Sequence, residues 1–437
     1  MRYPTNDLEN HWMPFTANRD FKKNPRLVVE GKGVHYTSHT GHDIMDAVSG
    51  LFCCPAGQSR QEIADAVYEQ MQELAYMPSF QHGHPAAFEL ARRVKNLTPE
   101  DLDYVFFANS GSEAIETALK IAILYHRVRG EGQRQRLVGR ERGYHGVNFG
   151  GFSIGGIVRN REMYGLGLPG VVHMRHTWLE ENRFSRGQPE NGAELANDLQ
   201  RFCDIHGGET IAACIVEPVA GSIGCYVPPK GYLERLREIC DEQGILLIFD
   251  EVITGFGRLG ENFAGQRFGV TPDIMTIAKA LTNGSIPMGG VVASEKVYKT
   301  ITEAAPETGI EFFHGYTYSA HPAACAAGIA TLDIYENDGL FKKSAEMEDY
   351  FLDQLFAMRD ADIVTDIRGI GLLGAFDMAP RDGTPGVRGG QAVKDFYNAG
   401  VLVKMTGDTV IVAPPFVADK ADIDKMFDII RGVVAKL

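Results

Sequence analysis

Apolar positions along this chain fall into two alternating spacings. Short, mainly apolar runs at 104–108, 135–139, 170–174, 211–217, 245–250, 274–278 and 289–293 are of a length that reads as buried strands. Between them the apolar residues recur every three or four positions. Ala114, Ala118, Ile121, Ala122 and Tyr125 form one such stripe, stopped by Gly130, and 230–243 is a helix between two strands, ended by Gly244. Seven strands alternating with helices predict an α/β body with a mostly parallel sheet.

The flanks read differently. Residues 26–30 and 33–36 look like short strands of a meander broken by Gly31 and Gly33. Ser59-Arg60-Gln61-Glu62 has the form of a capping box, and Ile63, Ala66, Val67 and Met71 continue it as a helix. The segment 180–194 is polar and reads as a surface excursion. Past a small-residue helix at 323–335, helix and strand alternate again, with 368–376 the clearest strand. This divides the chain into an N-terminal segment, 1–58, a large unit, 59–330, and a small α/β unit, 331–437, which the N-terminal meander joins.

Composition narrows the function. The chain has 437 residues and 44% hydrophobic content, enough for two or three units at about 150 residues each. Acids outnumber bases 57 to 43, a net charge of -14 with no long basic block, which argues against nucleic acid or an anionic membrane as partner. Anionic ligands must then be held by local groups. Residues 1–7 lack the apolar core of a signal peptide and no run approaches the ~20 residues of a membrane span, which points to the cytoplasm. Seven cysteines without a C-x-x-C pair fit a reduced compartment. Adjacent Cys53 and Cys54 make a poor zinc fork with no second pair nearby.

The chemistry sits at the strand ends, where open α/β sheets bind ligands. Asp250 ends the run 245–250 and Lys279 follows 274–278. Such an acid is often a cap and such a lysine a surface charge, yet together they are the two groups that pyridoxal phosphate chemistry requires: Lys279 to hold the aldehyde as a Schiff base, Asp250 to keep the pyridine nitrogen protonated. Ser110-Gly111-Ser112 opens a helix after a strand, either a phosphate site or a plain capping box with Glu113. Tyr144, in Arg142-Gly143-Tyr144-His145-Gly146, is a half-buried loop residue or one face of a ring sandwich, with Val252 opposite. Glu217 either accepts from cofactor or substrate or pairs with an arginine such as Arg258. Thr317 either reaches a phosphate or serves its own loop.

Taken together, these residues resemble the class III aminotransferases, pyridoxal-phosphate enzymes of fold type I. The resemblance is carried by Ile248-Phe249-Asp250-Glu251-Val252-Ile253-Thr254-Gly255-Phe256-Gly257-Arg258 with Lys279, and it runs from about His11 to the C-terminus. The segments 11–19, 142–148 and 314–322 are most similar to the β-alanine:pyruvate, or ω-amino acid:pyruvate, members of the class. The resemblance implies a large domain with a mostly parallel seven-stranded sheet and a smaller α/β domain drawn from both termini. It implies pyridoxal 5'-phosphate bound by Ser110, Gly111, Ser112, Tyr144, His145, Glu217, Asp250, Val252 and Lys279, with Lys279 and Asp250 catalytic. Thr317 would reach the phosphate from a neighbouring subunit of a homodimer or dimer of dimers. An amine donor and pyruvate would be the substrates, with Arg388 a movable arginine for the carboxylate and Trp12, Phe15, Phe52 and Tyr144 along the pocket. The chain departs from the pattern at Gly50-Leu51-Phe52-Cys53-Cys54-Pro55-Ala56-Gly57-Gln58, where relatives carry Gly-Leu-Trp before a loop ending in Gly-His. That loop borders the family's substrate pocket, so taurine or diamine donors, or an aminomutase reaction, stand as alternatives.

Overall fold

The seven apolar runs pair into one sheet in the computed structural model, which describes residues 8–437. Residues 1–7, where the sequence shows no signal-peptide core, lie outside the described residues. Three strands come first: β1 (Val28–Lys32), β2 (His35–Ser38) and β3 (Asp43–Asp46). The large sheet follows, with β4 (Leu102–Ala108), β5 (Arg136–Arg140), β6 (Val171–Met174), β7 (Ile211–Val216), β8 (Leu246–Asp250), β9 (Ile274–Ile277) and β10 (Gly289–Ser294).

Its order is β4-β10-β9-β8-β7-β5-β6, parallel throughout except that β10 runs antiparallel to both neighbours. Every residue of β7 and β8 is buried, as expected of central strands covered by helices on both faces. The helix Gly111–Val128 buries Ala114, Ala118, Ile121, Ala122 and Tyr125, the stripe read from sequence. The helix Tyr232–Gln243 buries Leu233, Leu236, Ile239 and Cys240, and Gly244 ends it at φ 67, a left-handed cap that glycine adopts without steric cost. Because β4 and β9 both oppose β10, the carboxyl ends of β4, β5, β7, β8 and β9 open on one edge.

The C-terminal part holds a correction. The stretch 368–376, read as one strand, is a hairpin of β11 (Val364–Ile370) and β12 (Leu373–Met378), turned by Gly371 at φ 59. Apolar residues continue through the turn, so nothing polar marked it. Next, β13 (Val401–Leu402) pairs parallel with β3, joining the N-terminal meander to a C-terminal strand, while β14 (Lys404–Thr406) and β15 (Thr409–Val412) complete an all-antiparallel sheet β11-β12-β15-β14.

One further reading is corrected, and the surface excursion is found tied down. Ser59 caps nothing: it sits at φ 55, and the helix Gln61–Glu73 begins after Arg60, which ties its start to Glu62 at 2.7 Å and to Asp338 at 2.9 Å. The excursion 180–194 is a strap. Trp178 Nε1 and the Phe184 N–H both donate to Asp366, the Gly187 N–H donates to the Gly369 carbonyl, and Arg186 pairs with Asp349 and Asp353. No helix among the described residues is long and apolar enough to cross a membrane. All seven cysteines are free.

Candidate active site

Five strand ends deliver side chains to one cavity of about 330 Å³. From β4 the chain passes Asn109 and enters the helix Gly111–Val128, whose first N–H groups have no acceptor inside the helix. Ser110 caps it, its Oγ accepting from the Glu113 N–H at 3.2 Å, while Glu113 reaches back to the Asn109 N–H at 2.7 Å. A Cβ on Gly111 would stand 3.2 Å from a Val252 methyl, so the bare backbone here leaves room for the valine that follows β8. After β5 the chain turns at Gly146, φ 88, where the Val147 N–H donates to Ser112 Oγ at 3.1 Å and a Cβ would come within 2.4 Å of that oxygen. The turn is thereby closed onto the helix start, with Tyr144 and His145 facing the cavity from the same loop.

Asp250, at the end of β8, accepts from three directions. His145 Nδ1 lies 2.8 Å from Oδ2, and the Val252 N–H and Thr276 hydroxyl donate to Oδ1 at 3.2 and 3.3 Å. Both His145 and Asp250 are buried, and the histidine's Nε2 has no hydrogen-bond partner among the described residues. Glu217, just past β7, accepts the Tyr144 N–H at 2.9 Å. Burial pushes its carboxyl up to about 7, a shift that His145 opposes and Asp250 reinforces. Burial likewise raises the Tyr144 phenol, and Asp250 and Glu217 add to the rise.

Lys279 follows β9 at φ 48, a left-handed conformation that costs a non-glycine residue energy and that clusters at functional sites. Burial pushes its amine below the ordinary lysine value, against the pull of Cys53, Asp250 and Glu217. A lysine that loses its proton more readily is a better nucleophile toward a carbonyl. The pocket thus combines a helix N-terminus suited to a phosphate, a histidine-braced carboxylate, an activated lysine, and a tyrosine and a valine on its walls. Its volume and the unpartnered His145 Nε2 fit a flat, phosphate-bearing heterocycle.

Five expected residues are not brought to this cavity within the chain. Phe52 is buried in an apolar cluster with Val48, Val219 and Ile253, because Ser49, Gly50, Leu51 and Phe52 all have positive φ and this left-handed turn sends the ring inward; Cys53 faces the cavity in its place. Trp12 and Phe15 are 89% and 88% exposed. Thr317 is exposed, its carbonyl accepting from the Tyr76 hydroxyl. Arg388 donates from Nε to the Ala379 carbonyl at 2.7 Å and from the guanidinium to the Leu437 carbonyl. Sequence reasoning missed Cys53, Ser222 and the lining segment 284–288, although Gly284 and Pro287 punctuate that segment visibly.

A family model described as Aminotransferase class-III matches residues 16–434. The chain belongs to the class III aminotransferases. This aminotransferase is 50% identical over 436 residues to an omega-aminotransferase of Caulobacter vibrioides, covering 100% of this chain and 99% of that protein. It is also 50% identical to a beta-alanine--pyruvate aminotransferase of Pseudomonas aeruginosa, over 97% and 94% of the two chains. An amine transaminase from an uncultivated Pseudomonas species, solved in its PLP-bound form, superposes with a TM-score of 0.91 at 33% identity, over 99% of each chain. Its fold is that of the fold type I transaminases, as the sequence resemblance implied.

Proposed function

We propose that this class III aminotransferase moves an amino group from an ω-amino acid such as β-alanine, or from a primary amine, to pyruvate, giving an aldehyde or ketone and alanine. The observation that carries the reading is the meeting of Lys279, His145-braced Asp250 and the helix start at Gly111 in one cavity. Two full-length relatives at 50% identity, one of them named for β-alanine and pyruvate, support the substrate pair.

Pyridoxal 5'-phosphate fits the residues present. The N–H groups of Gly111 and Ser112 would hold its phosphate, Val252 and Tyr144 would flank its ring, and Asp250 would hold the proton on its pyridine nitrogen. The bound cofactor supplies an electron sink for the carbanion left when a proton leaves the amine-bearing carbon. Lys279 Nζ would hold the cofactor at rest and, when free, would carry that proton. His145 Nδ1, held 2.8 Å from Oδ2, orients the Asp250 carboxylate, and Glu217, which lines the same cavity, would border the ring. Thr317, exposed in the single chain, would complete the phosphate site of a partner subunit, which makes the active form a homodimer or dimer of dimers.

Purified protein mixed with β-alanine alone is expected to lose its visible cofactor absorbance and to regain it with pyruvate, with alanine formed. Lys279→Ala is expected to abolish both changes and all turnover. Wild-type rates in that variant would remove Lys279 from the chemistry.

A further inference from the structure

The carboxyl ends of the parallel strands β5 and β6 meet a second cavity, of about 420 Å³. Open α/β sheets bind ligands along this edge, and here it holds two hollows. The loop 141–146 serves both. Tyr144 and His145 line the first, whereas Glu141 and Arg142 line the second, with His173 of β6, His176 just past it, and Val158 and Arg161 of the helix Val158–Tyr164. The arginines here differ from their neighbours. Arg159 of the same helix pairs with Glu162 at 3.2 Å, and Arg175, next to His176, pairs with Asp198 at 2.8 Å. No carboxylate of the described residues lies at ion-pair distance from Arg142 or Arg161. Arg142 donates to the Tyr226 hydroxyl at 2.7 Å, and Arg161 to the Gly155 carbonyl at 2.9 Å and His173 Nε2 at 2.8 Å, all neutral acceptors. Asp377, which feels Arg142 at a distance, is taken by Arg368 at 2.8 Å.

The histidines register this unneutralised charge. Burial first and then Arg161 lower His173, and burial first and then Arg142 lower His176, with Glu141 opposing at the latter. His176 Nδ1 is buried and has no hydrogen-bond partner among the described residues. Such a polar atom is costly unless something supplies the bond. Arg142 also stands at φ 60, a left-handed conformation that costs a non-glycine residue energy and recurs at ligand clamps. In a chain of net charge -14, an anion must be held by cations gathered locally. We propose that this cavity is a second ligand site, which takes a small doubly charged oxyanion, a phosphate ester or a dicarboxylate, on the Arg142 and Arg161 guanidiniums, with His176 Nδ1 as a further contact. A guanidinium presents paired N–H groups to either kind of oxyanion. The bound anion would sit one loop away from Tyr144.

The probes are inorganic phosphate and succinate, titrated separately by calorimetry into the holoenzyme at constant ionic strength. At least one is expected to bind; tighter phosphate assigns the phosphate ester, and tighter succinate the dicarboxylate. Arg161→Gln is expected to weaken the tighter ion at least tenfold. Val158→Glu keeps both arginines, adds a negative charge to the same wall, and is expected to weaken that ion to a similar extent. An unchanged visible cofactor absorbance reports that each variant is intact. Absence of binding by both ions would overturn the site. Undiminished binding in either variant would overturn it too, by placing the anion in another cavity. Because the isotherms need no turnover, they fail or succeed separately from the proposed reaction.

Discussion

Two buried carboxyls at neighbouring strand ends meet different surroundings. Asp250 has donors on both oxygens, from His145, Val252 and Thr276, whereas the Glu217 side chain has the Tyr144 N–H. Burial therefore dominates at Glu217 and raises it to about 7, against 4.5 for an ordinary glutamate. A raised folded-state value means that the folded chain binds the proton more tightly, so this contribution is present below about 4.5 and is lost as pH climbs through about 7. Glu217→Gln is neutral at every pH and can still accept from Tyr144. In the cofactor-free chain it should flatten the fall in thermal midpoint between pH 5 and 8, by up to roughly 3 kcal/mol at about 1.4 kcal/mol per pKa unit; an unchanged pH profile would place the titration elsewhere. At this scale Lys279 and Asp250 were legible, because an abrupt polar residue after an apolar strand marks a site edge. The contact of His145 with Asp250 was not, since 105 residues separate them and no local pattern records the pairing.

Among the elements, the β11–β12 hairpin shows how a turn fixes a distant wall. Its tip meets Arg258: the Leu372 N–H donates to the Arg258 carbonyl at 3.0 Å, and the guanidinium donates to the Leu372 and Pro414 carbonyls and, at 3.0 Å, to Ser49 Oγ. Ser49 begins the left-handed turn that buries Phe52 and leaves Cys53 on the cavity. Hairpin, signature arginine and pocket wall are thus one connected structure. A Cβ on Gly371 would meet Leu259 Cα at 2.5 Å and the Arg258 carbonyl oxygen at 2.6 Å, on a backbone already at φ 59. Gly371→Ala is expected to destabilise the fold by about 2 kcal/mol or more, seen as a lower denaturant midpoint at unchanged slope. A midpoint equal to the wild type would mean that the tip relaxes freely. The sequence concealed this hairpin because its turn residue stands among apolar neighbours on both sides.

For the whole molecule, the chain exposes several large apolar side chains on one side. Beside β4 and β10, a groove of about 460 Å³ is lined by Phe88, Tyr104, Phe106, Tyr298, Ile310 and Phe312. Phe88 is 72% exposed and nearby Phe313 92%, on the same segment as Thr317. Large apolar side chains so exposed mark an association surface, and here it adjoins the residue expected to serve a second cavity. Sedimentation velocity at micromolar concentration should show a dimer or larger species. Phe88→Glu should shift it toward monomer and lower cofactor retention; a monomeric wild type with full activity would contradict the shared site.

The sequence by itself determined the seven strands, their alternation with helices, and the residues at their carboxyl ends, because burial and helix caps impose periodicities and stops that are local in the chain. It also carried the family resemblance, through a run of eleven residues and one lysine. Only the tertiary structure decided which face of the 50–58 loop meets the cavity, that Arg388 is held by backbone carbonyls, and that Lys404 stands beside Ser222. Those outcomes depend on left-handed backbone turns and on partners 9, 49 and 182 positions away along the chain. Hydrophobic spacing cannot encode either, since it records burial and not the neighbour that provides it.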